Sequence, residues 1–502
     1  MGRVRAGRHG QPPLGGAARR TPTPAQAAAL ALLLLAAAAI GRADPFLLAR
    51  LLHDLLFAGF ALVIASRAAA VLLARPPGPV APPPVGRRLP RYTVVAALKD
   101  EAEVALQLVA RLSALDYPRD RLEGLLVLES DDPATLAAVR ACRLPPWLRV
   151  VVAPPGRPRT KPRALNVALA QARGEQLVIY DAEDAPHPGQ LREAAARFAH
   201  EGDRLACLQA PLRIHGGAGP LGRQFAAEYA ALFELILPGL ARFGLPFPLG
   251  GTSNHFRVAA LRSVGGWDAW NVTEDADLGF RLHRHGWRLG MLALPTWEPP
   301  PDGLGDWLPQ RARWLKGFMQ TWGVHMRAPL GLGAGGLAVF QLTLGQAIAS
   351  ACLQAPVTAW LASALLTAAV AGVPPAVPLA DLALALAGWG VAAAACAEGS
   401  RRAGTAWRLG DALAAPLYWS LLTLAQAHAL WRLAASPFHW DKTRHAPDAA
   451  AGRAAPEATM ARPWPSVPPT RPRRFARAAG RITPSSIPAT AESSSDTGAS
   501  LS

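Results

Sequence analysis

The stretch Gln176-Leu177-Val178-Ile179-Tyr180-Asp181-Ala182-Glu183-Asp184 places a short apolar run directly before a cluster of acids. A run of this length and composition predicts a buried strand over residues 176–180. In parallel α/β sheets, ligands bind beyond the carboxyl ends of the strands. Asp181, Glu183 and Asp184 therefore lie where a ligand site is expected, although a solvated turn or a helix cap is the alternative for such acids.

Strands and helices alternate on both sides of this run. The alternation indicates βαβ units and a doubly wound α/β sheet. The other predicted strands cover residues 92–97, 124–128 and 148–152, and the predicted helices cover residues 102–115, 133–142, 161–172 and 188–199.

Acids also follow two of the other predicted strands. Asp100 and Glu101 come after the first, and Glu129, Asp131 and Asp132 come after the second. Carboxylates that lie close together repel unless a cation lies between them. Because Mg²⁺ takes oxygen ligands, usually a few carboxylates with substrate phosphates, the pattern predicts a divalent-cation site. Helix capping is the alternative for Asp100 and Asp132.

Basic and polar residues open one predicted helix. They are Arg159, Thr160, Lys161, Arg163 and Asn166. Helix amides together with Lys and Arg side chains form an anion site, and ordinary surface charge is the alternative.

Three further polar runs follow along the chain. The first, Gly250-Gly251-Thr252-Ser253-Asn254, is a flexible turn with backbone donors. The second, Asn271-Val272-Thr273-Glu274-Asp275-Ala276-Asp277, is an acidic helix start that capping can also explain. The third, Gln310-Arg311-Ala312-Arg313-Trp314-Leu315-Lys316-Gly317, is a helical motif. Helical spacing puts Gln310, Arg313 and Trp314 on one face, where a solvated surface or an interfacial anchor is the alternative.

The composition and the clustering of apolar residues indicate a membrane protein. Charged residues are 17% of the chain and Cys only four, which excludes a mainly disordered chain and a disulfide scaffold. The net charge of +17 leaves nucleic-acid binders and membrane proteins. Membrane proteins are favoured, because the chain has apolar segments whose helical length is close to the hydrocarbon thickness of a bilayer. These segments cover residues 27–40, 51–74, 330–373, 377–397 and 412–433.

The placement of Arg residues predicts the orientation of these segments. The leader and the tail after Ser436 are rich in Arg, so both should lie on the cytoplasmic side. This requires residues 412–433 to lie in the interface, or the rule to fail once at the connector near Arg408. A cleaved signal peptide is the alternative for the first segment. The predicted domains are a basic leader (1–26), two transmembrane helices (27–75), a central domain (91–325), transmembrane or interfacial helices (330–434) and a disordered basic tail (446–502).

The motifs, in their order, resemble those of membrane-bound, processive-type family 2 glycosyltransferases, the relatives of cellulose and hyaluronan synthases. The resemblance covers roughly residues 45–445 and extends to a phage-adsorption-protein-B-like bacterial branch. It implies a GT-A-like doubly wound mixed sheet inserted between transmembrane helices, with a cytoplasmic catalytic domain at the bacterial inner membrane. The motifs are Lys99-Asp100-Glu101, Asp181-Ala182-Glu183-Asp184, Thr273-Glu274-Asp275, Gln310-Arg311-Ala312-Arg313-Trp314 and Pro437-Phe438-His439-Trp440-Asp441-Lys442-Thr443.

The resemblance also implies roles for the acids. A nucleotide sugar, expected to be a UDP-sugar, would bind through Mg²⁺ or Mn²⁺ held by Asp181 and Glu183, with Asp184 as the rival of Glu183. Asp275 would be the general base, next to Glu274. This chain departs from the family at the metal motif, which has Glu183 where Asp is usual.

The remaining site residues are expected to bind substrates. Glu101 corresponds to the acid that the family has early in the domain, after the first strand. Gly251 belongs to a turn with exposed backbone donors. Asp131, with Glu129 as its rival, would lie near the nucleotide base, and Lys161 and Arg163 near the diphosphate. Gln310, Arg313 and Trp314 would line the acceptor and diphosphate region. Residues 440–443 would cover the nucleotide, unless Trp440 only anchors the chain at the membrane.

The expected function is inverting sugar transfer in polysaccharide synthesis. A glycolipid synthase that adds one sugar to a lipid is the enzymatic alternative, and a membrane receptor with an inactive domain is the non-enzymatic one. The expected partners are a donor, a glycan or lipid acceptor and membrane lipids, with an export partner left open. Nucleic acid is not expected, because the Arg residues gather in the two tails rather than along a stripe of the central domain.

Overall fold

The computed structural model describes residues 17–78, 80, 88–216 and 219–440. Most of the basic leader, the run Asp441-Lys442-Thr443 and the tail over residues 446–502 lie outside the described residues. The predictions on these segments stay predictions.

The strands of the described residues are short and mostly buried. In chain order they are β1 (Tyr92–Leu98), β2 (Leu122–Glu129), β3 (Leu148–Ala153), β4 (Gln176–Tyr180), β5 (Ala185–Pro186), β6 (Leu205–Gln209), β7 (Leu212–Ile214), β8 (Asn254–Arg257), β9 (Arg288–Met291) and β10 (Thr296–Glu298).

The strands form a doubly wound mixed sheet and a smaller companion. The main sheet has seven strands in the order β3-β2-β1-β4-β8-β6-β9. β1 pairs in parallel with β2 and β4, whereas β8 runs antiparallel to β4 and β6. In the small sheet, β10 lies between β5 and β7. The mixed α/β fold class predicted from the sequence is confirmed.

The helices of the described residues include short ones that cover the main sheet and long apolar ones. In chain order they are α1 (Pro24–Ala43), α2 (Pro45–Leu73), α3 (Ala105–Ser113), α4 (Pro133–Ala141), α5 (Lys161–Gln171), α6 (Gln190–His200), α7 (Pro220–Ala231), α8 (Leu237–Arg242), α9 (Val258–Ser263), α10 (Glu274–Arg284), α11 (Leu304–His325), α12 (Gly333–Phe340), α13 (Gln346–Ala371), α14 (Leu379–Ala403) and α15 (Leu409–Ala435).

Both faces of the main sheet are buried, because helices cover each of them. Successive strand side chains point to opposite faces. On β1, Val94 and Ala96 pack in the core that contains Leu108 of α3, while Val95 packs in the core that contains Leu165 of α5. The central strands therefore read as continuous apolar runs rather than as alternating ones, as is usual for parallel sheets.

Asp132 has the capping role that was the alternative to metal binding. Its side chain accepts hydrogen bonds from the backbone N–H of Thr135 at 3.1 Å and of Asp100 at 2.6 Å. The first bond caps α4, and the second holds the turn after β1, where Asp100 has a φ of 51°. The carboxyl ends of β1 and β2 are thus tied together.

A buried ion network fixes α10 against α11. Asp277 accepts hydrogen bonds from Arg281 at 2.6 Å and from His325 at 3.0 Å, and all three side chains are at most 1% exposed. Burial alone would raise the pKa of Asp277, but Arg281 and His325 outweigh it and lower this pKa to about 2. Because the folded-state pKa is below the unfolded value, the network stabilises the fold above the unfolded pKa. That stabilisation is lost as the pH falls toward 2.

Asp277→Ala should destabilise the protein by about 3 to 5 kcal/mol, because it leaves Arg281 buried without its counter-ion. The measurement is thermal unfolding of the detergent-solubilised chain. The exposed Asp302→Ala variant is the control and should unfold like the parent. An unchanged midpoint for Asp277→Ala would mean that the network does not hold α10 in place.

Four segments of the described chain are long and apolar enough to cross a membrane: Pro24–Ala43, Pro45–Leu73, Pro329–Ala371 and Leu379–Ala403. The fifth predicted segment forms α15, which is not among them. One side of α15 packs along α11 and α13, and Leu413, Leu417 and Leu424 are exposed on another. This arrangement suits a helix that lies in the interface.

Candidate active site

A cavity of about 1680 Å³ lies at the carboxyl ends of β1, β2 and β4. It continues from there between the long apolar helices. Of the site residues predicted from the sequence, those that line it are Glu101, Lys161, Asp181, Glu183, Gly251, Glu274, Asp275, Gln310, Arg313 and Trp314. Asp131 and Arg163 are not part of the lining.

The turn after β4, residues 181–184, is called the acid turn below. Its two candidates for the second metal-binding acid, Glu183 and Asp184, lie in different surroundings. Asp181 and Glu183 face the cavity, whereas Asp184 is fully buried beneath it. The Asp184 carboxylate accepts hydrogen bonds from the Asp181 backbone N–H at 2.8 Å and from the Thr252 hydroxyl. Burial, followed by the neighbouring carboxylates of Asp181 and Glu183, raises the pKa of Asp184. Asp184 therefore shapes the turn, and Glu183 is the one of the two that lines the cavity.

Lys161 connects the acid turn to the turn at residues 250–254, which is called the glycine turn below. Its ammonium forms an ion pair with Asp181 and donates to the Gly251 carbonyl at 2.7 Å. Burial alone would lower the pKa of Lys161, but the carboxylates of Asp181, Glu274 and Asp275 outweigh it and raise this pKa. The side chain is thus a fixed positive charge at the start of α5.

The first turn of α10 carries Glu274 and Asp275 into the same wall of the cavity. The Asp275 carboxylate accepts a hydrogen bond from the Ala276 N–H at 2.8 Å. A Cβ atom added to Gly251 would lie 3.4 Å from Asp275 Oδ2, so the glycine turn passes directly beside this carboxylate. Burial raises the pKa of Asp275 and of Glu274. Through Gly251 and Lys161, Asp275 and the acid turn form one continuous surface.

Glu298 is a further acid of the site that the sequence analysis missed. It ends β10, and the antiparallel pairing of β10 with β5 brings it beside the acid turn. It lines the cavity, and its buried Oε1 atom has no hydrogen-bond partner among the described residues. Burial, followed by the nearby carboxylates of Asp184, Glu183 and Asp181, raises the pKa of Glu298.

The helical motif of α11 contributes four side chains to the cavity lining: Gln310, Arg311, Arg313 and Trp314. Within the described part of the chain, Gln310 Oε1 and Arg313 Nε are buried without a hydrogen-bond partner. Because native proteins rarely leave buried polar atoms unpaired, these atoms point to a polar ligand.

Arg311 has a different role from its neighbours in the motif. Its guanidinium binds both carboxylate oxygens of Glu228 at 2.7 Å each and donates to the Tyr418 hydroxyl at 3.1 Å. Glu228 lies on α7 and Tyr418 on α15. Arg311 therefore ties α11 to two other helices.

The chain after α15 returns to the cavity. Lys316 donates to the His439 carbonyl at 2.8 Å, and Gln320 to the Pro437 carbonyl at 2.9 Å. These bonds place Trp440 so that the Arg313 guanidinium lies 4.6 Å from the centre of its ring. Trp440 thereby becomes part of the cavity wall.

The two predicted residues outside the lining are held in ion pairs. Asp131 binds Arg159 at 2.6 Å, and Arg163 binds Glu129 at 3.1 Å. In both pairs the partner, Arg159 or Glu129, is the residue that lines the cavity. Of the two acids considered for the nucleotide base, Glu129 is the one that faces it.

The acids fit a hard divalent cation that binds together with a substrate. Among the residues described, no group of three or more His, Cys, Asp or Glu side chains is arranged to hold a metal ion by itself. Mg²⁺ does not need one, because it is usually held by one or two carboxylates, waters and substrate phosphates. Asp181 and Glu183 supply two such carboxylates on one side of the cavity.

Comparison with known proteins shows relatives that transfer sugars. The chain is 30% identical over 242 residues to a beta-monoglucosyldiacylglycerol synthase of Synechocystis sp., covering 46% of this chain and 49% of the relative. It is 29% identical over 160 residues to a poly-beta-1,6-N-acetyl-D-glucosamine synthase of Staphylococcus aureus, covering 32% of this chain and 39% of the relative. The chain thus spans about half or less of the length of these two relatives.

Among solved structures, a mannosyltransferase of Pyrobaculum calidifontis in complex with GDP-Man and Mn²⁺ is similar, with 19% sequence identity and a TM-score of 0.46. The similarity covers 75% of this chain and 98% of that one. The glycosyl transferase family 2 model matches residues 93–251, and the glycosyl transferase family group 2 model matches residues 177–397. Both matches contain the acid turn at residues 181–184 and the glycines Gly250 and Gly251. Over residues 93–397 the chain therefore matches models of family 2 glycosyltransferase domains.

Proposed function

We propose that the chain transfers a sugar from a nucleotide sugar, a UDP-sugar in the first instance, to an acceptor hydroxyl with inversion at the anomeric carbon. One observation carries this proposal. Asp275 and the acid turn at Asp181 and Glu183 lie on one cavity wall, joined through Lys161 and the Gly251 carbonyl. This proximity supports a base at Asp275 beside a diphosphate site at the acid turn.

The acid turn supplies the diphosphate end of the site. Asp181 and Glu183 would hold Mg²⁺ or Mn²⁺, which when bound stabilises the negative charge on the departing nucleoside diphosphate. Lys161 and Arg313 add fixed positive charge to the same cavity. Glu129, with Asp131 behind it, lies toward the nucleotide base.

Asp275 acts at the other end of the transferred sugar. Its carboxylate accepts the proton of the acceptor hydroxyl while the hydroxyl oxygen bonds to the anomeric carbon. The bond from that carbon to the diphosphate oxygen breaks, and its electron pair leaves with the nucleoside diphosphate. One displacement inverts the anomeric centre, so an α-linked donor gives a β-linked product. Trp314 offers an apolar face to the acceptor ring or chain.

The long apolar helices support a membrane location for this reaction. If the four segments cross the membrane and α15 lies in the interface, both chain ends lie on the same side as the catalytic domain. We assign this side to the cytoplasmic face of a bacterial inner membrane. The names of the two curated relatives include a polymer synthase and a glycolipid synthase. Both products are compatible with the chemistry proposed here.

The direct test is release of nucleoside diphosphate by the full chain in isolated membranes. UDP- and GDP-sugars are offered in turn with Mg²⁺, Mn²⁺ or EDTA. We expect release from one donor that requires the cation and stops in EDTA. No release from any donor, in protein shown to be folded, would favour a non-enzymatic receptor and contradict the proposal.

Glu298→Gln should weaken cation-dependent donor binding by about 10- to 100-fold, the usual range for groups that support a metal site. Its carboxylate lies beside the acid turn and loses its charge in the variant. Equilibrium binding of the nucleotide sugar as a function of Mn²⁺ concentration measures the effect. Glu103→Gln, an exposed acid outside the cavity, is the matched control. Equal Mn²⁺ dependence in the two variants would remove Glu298 from the site.

A further inference from the structure

The active-site cavity extends well beyond the catalytic residues. The same cavity continues between α2, α13 and α14, which belong to segments long and apolar enough to cross a membrane. Its walls there are predominantly apolar. They include Phe57, Phe60, Ile64, Leu353, Trp360 and Leu382.

A polar boundary separates the catalytic part of the cavity from this apolar part. Gln346, the first residue of α13, bonds to Ser350 at 2.6 Å, and Arg67 reaches Gln346 at 3.4 Å. In the part of the chain that the structure describes, this is the only hydrogen bond of the Arg67 guanidinium. All three side chains line the cavity. A cation within a membrane segment is expensive and usually serves a function.

The apolar part is long enough for lipid hydrocarbon. Its α13 wall runs from Leu353 to Leu365, which is about 18 Å of helix. The hydrocarbon of one leaflet is about 15 Å thick. His53 of α2 and Asp381 of α14 also line the cavity and form a polar pair with an N–O distance of 3.0 Å. The apolar walls can therefore receive the hydrocarbon chain of a membrane lipid.

The volume is sufficient for a second ligand beside the donor. Pockets for single small ligands are usually about 300 to 1,000 Å³. The cavity holds about 1680 Å³. A nucleotide sugar at the acid turn thus leaves the space between the helices for the acceptor.

The walls suit hydrocarbon better than a sugar chain. A glycan presents hydroxyl groups on all sides, and apolar walls would take their water away without replacing the hydrogen bonds. An acyl or prenyl chain loses nothing of this kind and gains from its contact with apolar side chains. The polar boundary at Arg67 and Gln346 supplies the groups that a lipid head requires.

We infer that the acceptor is a membrane lipid with a free hydroxyl on its headgroup. Its hydrocarbon chains lie between α2, α13 and α14, and its headgroup passes the Arg67 boundary to bring the hydroxyl to Asp275. This inference rests on the proposed function and selects a single-sugar glycolipid over a polysaccharide as the product.

The experiment uses the full chain in vesicles of phosphatidylcholine, which has no free hydroxyl on its headgroup. The donor is the labelled nucleotide sugar that supports diphosphate release in membranes. Dioleoylglycerol or phosphatidylglycerol is added as the acceptor, so that a neutral and an anionic hydroxyl lipid are compared. The label is followed into the organic extract, and the product is sized by mass spectrometry.

A matched pair of variants on α14 tests where the lipid lies. Ala385 lines the cavity, whereas Ala387, two residues along, is exposed and does not. Ala385→Trp fills the space and should lower transfer to lipid by about tenfold or more, while Ala387→Trp should match the parent. A photoreactive diacylglycerol should also label the α13 peptide around Trp360 in the parent, and much less in Ala385→Trp. This second measurement does not depend on turnover.

The outcomes are distinct. Label in a lipid that carries one sugar, dependent on the added hydroxyl lipid and reduced in Ala385→Trp alone, supports the inference. Diphosphate release with label in a water-soluble polymer overturns the lipid acceptor and leaves the proposed sugar transfer intact. Equal transfer to lipid by the two variants overturns the placement of the hydrocarbon chains between α2, α13 and α14. No diphosphate release with any donor or acceptor overturns both.

Discussion

Asp275→Asn should lower the turnover of the enzyme by about 10²- to 10⁴-fold, the usual contribution of a general base. Asn keeps the size of the side chain and can still accept the hydrogen bond from the Ala276 N–H, but it cannot take a proton from the acceptor. Donor binding should stay close to that of the parent, because the acid turn and Lys161 are unchanged. The measurement is the rate of nucleoside diphosphate release at saturating donor and acceptor.

Two comparisons make this result specific. Asp302→Asn changes an exposed acid outside the cavity and should leave the rate unchanged. Glu274→Gln tests the neighbouring carboxylate, which lines the same wall and is almost completely buried. If turnover survives in Asp275→Asn and is lost in Glu274→Gln, the base is Glu274 and the proposed assignment is wrong.

The central strands could be predicted because burial on both faces leaves a simple signal. The observed β4 has the predicted bounds, and β1 differs by one residue at its end. The small sheet could not be predicted in the same way. β5 and β10 are two- and three-residue strands whose pairing depends on tertiary contacts rather than on a local pattern. Glu298 was missed with them, since a single acid on such a strand carries no clustering signal.

Within the site, sequence spacing predicted which segments meet but not how neighbouring acids divide their roles. In the turn after β2, Asp132 caps α4 while Asp131 pairs with Arg159. In the α11 motif, Arg311 pairs with Glu228, whereas Arg313 lies against the ring of Trp440. Adjacent residues differ in such ways because their partners come from distant parts of the chain, and the local sequence does not contain them.

Asp181→Asn is the other variant expected to have a very large effect. Asn can still accept a hydrogen bond from Lys161, so the wall of the cavity should persist, but the charge that holds the cation is reduced. Stabilising the leaving diphosphate is worth several kcal/mol, which corresponds to a loss of about 10³-fold in rate. Unlike in Asp275→Asn, donor binding should also lose its dependence on Mn²⁺. Titrating donor binding with Mn²⁺ separates the two variants.

Asp184→Asn is the matched control in the same turn. Asp184 is fully buried and accepts hydrogen bonds from the Asp181 N–H and the Thr252 hydroxyl, so its replacement should lower the unfolding temperature. Protein that remains folded should keep its Mn²⁺ dependence. The reverse pattern, with Mn²⁺ dependence lost in Asp184→Asn and kept in both Asp181→Asn and Glu183→Gln, would mean that the buried carboxylate holds the cation. The turn would then have to rearrange when the donor binds, because in the present structure Asp184 faces away from the cavity.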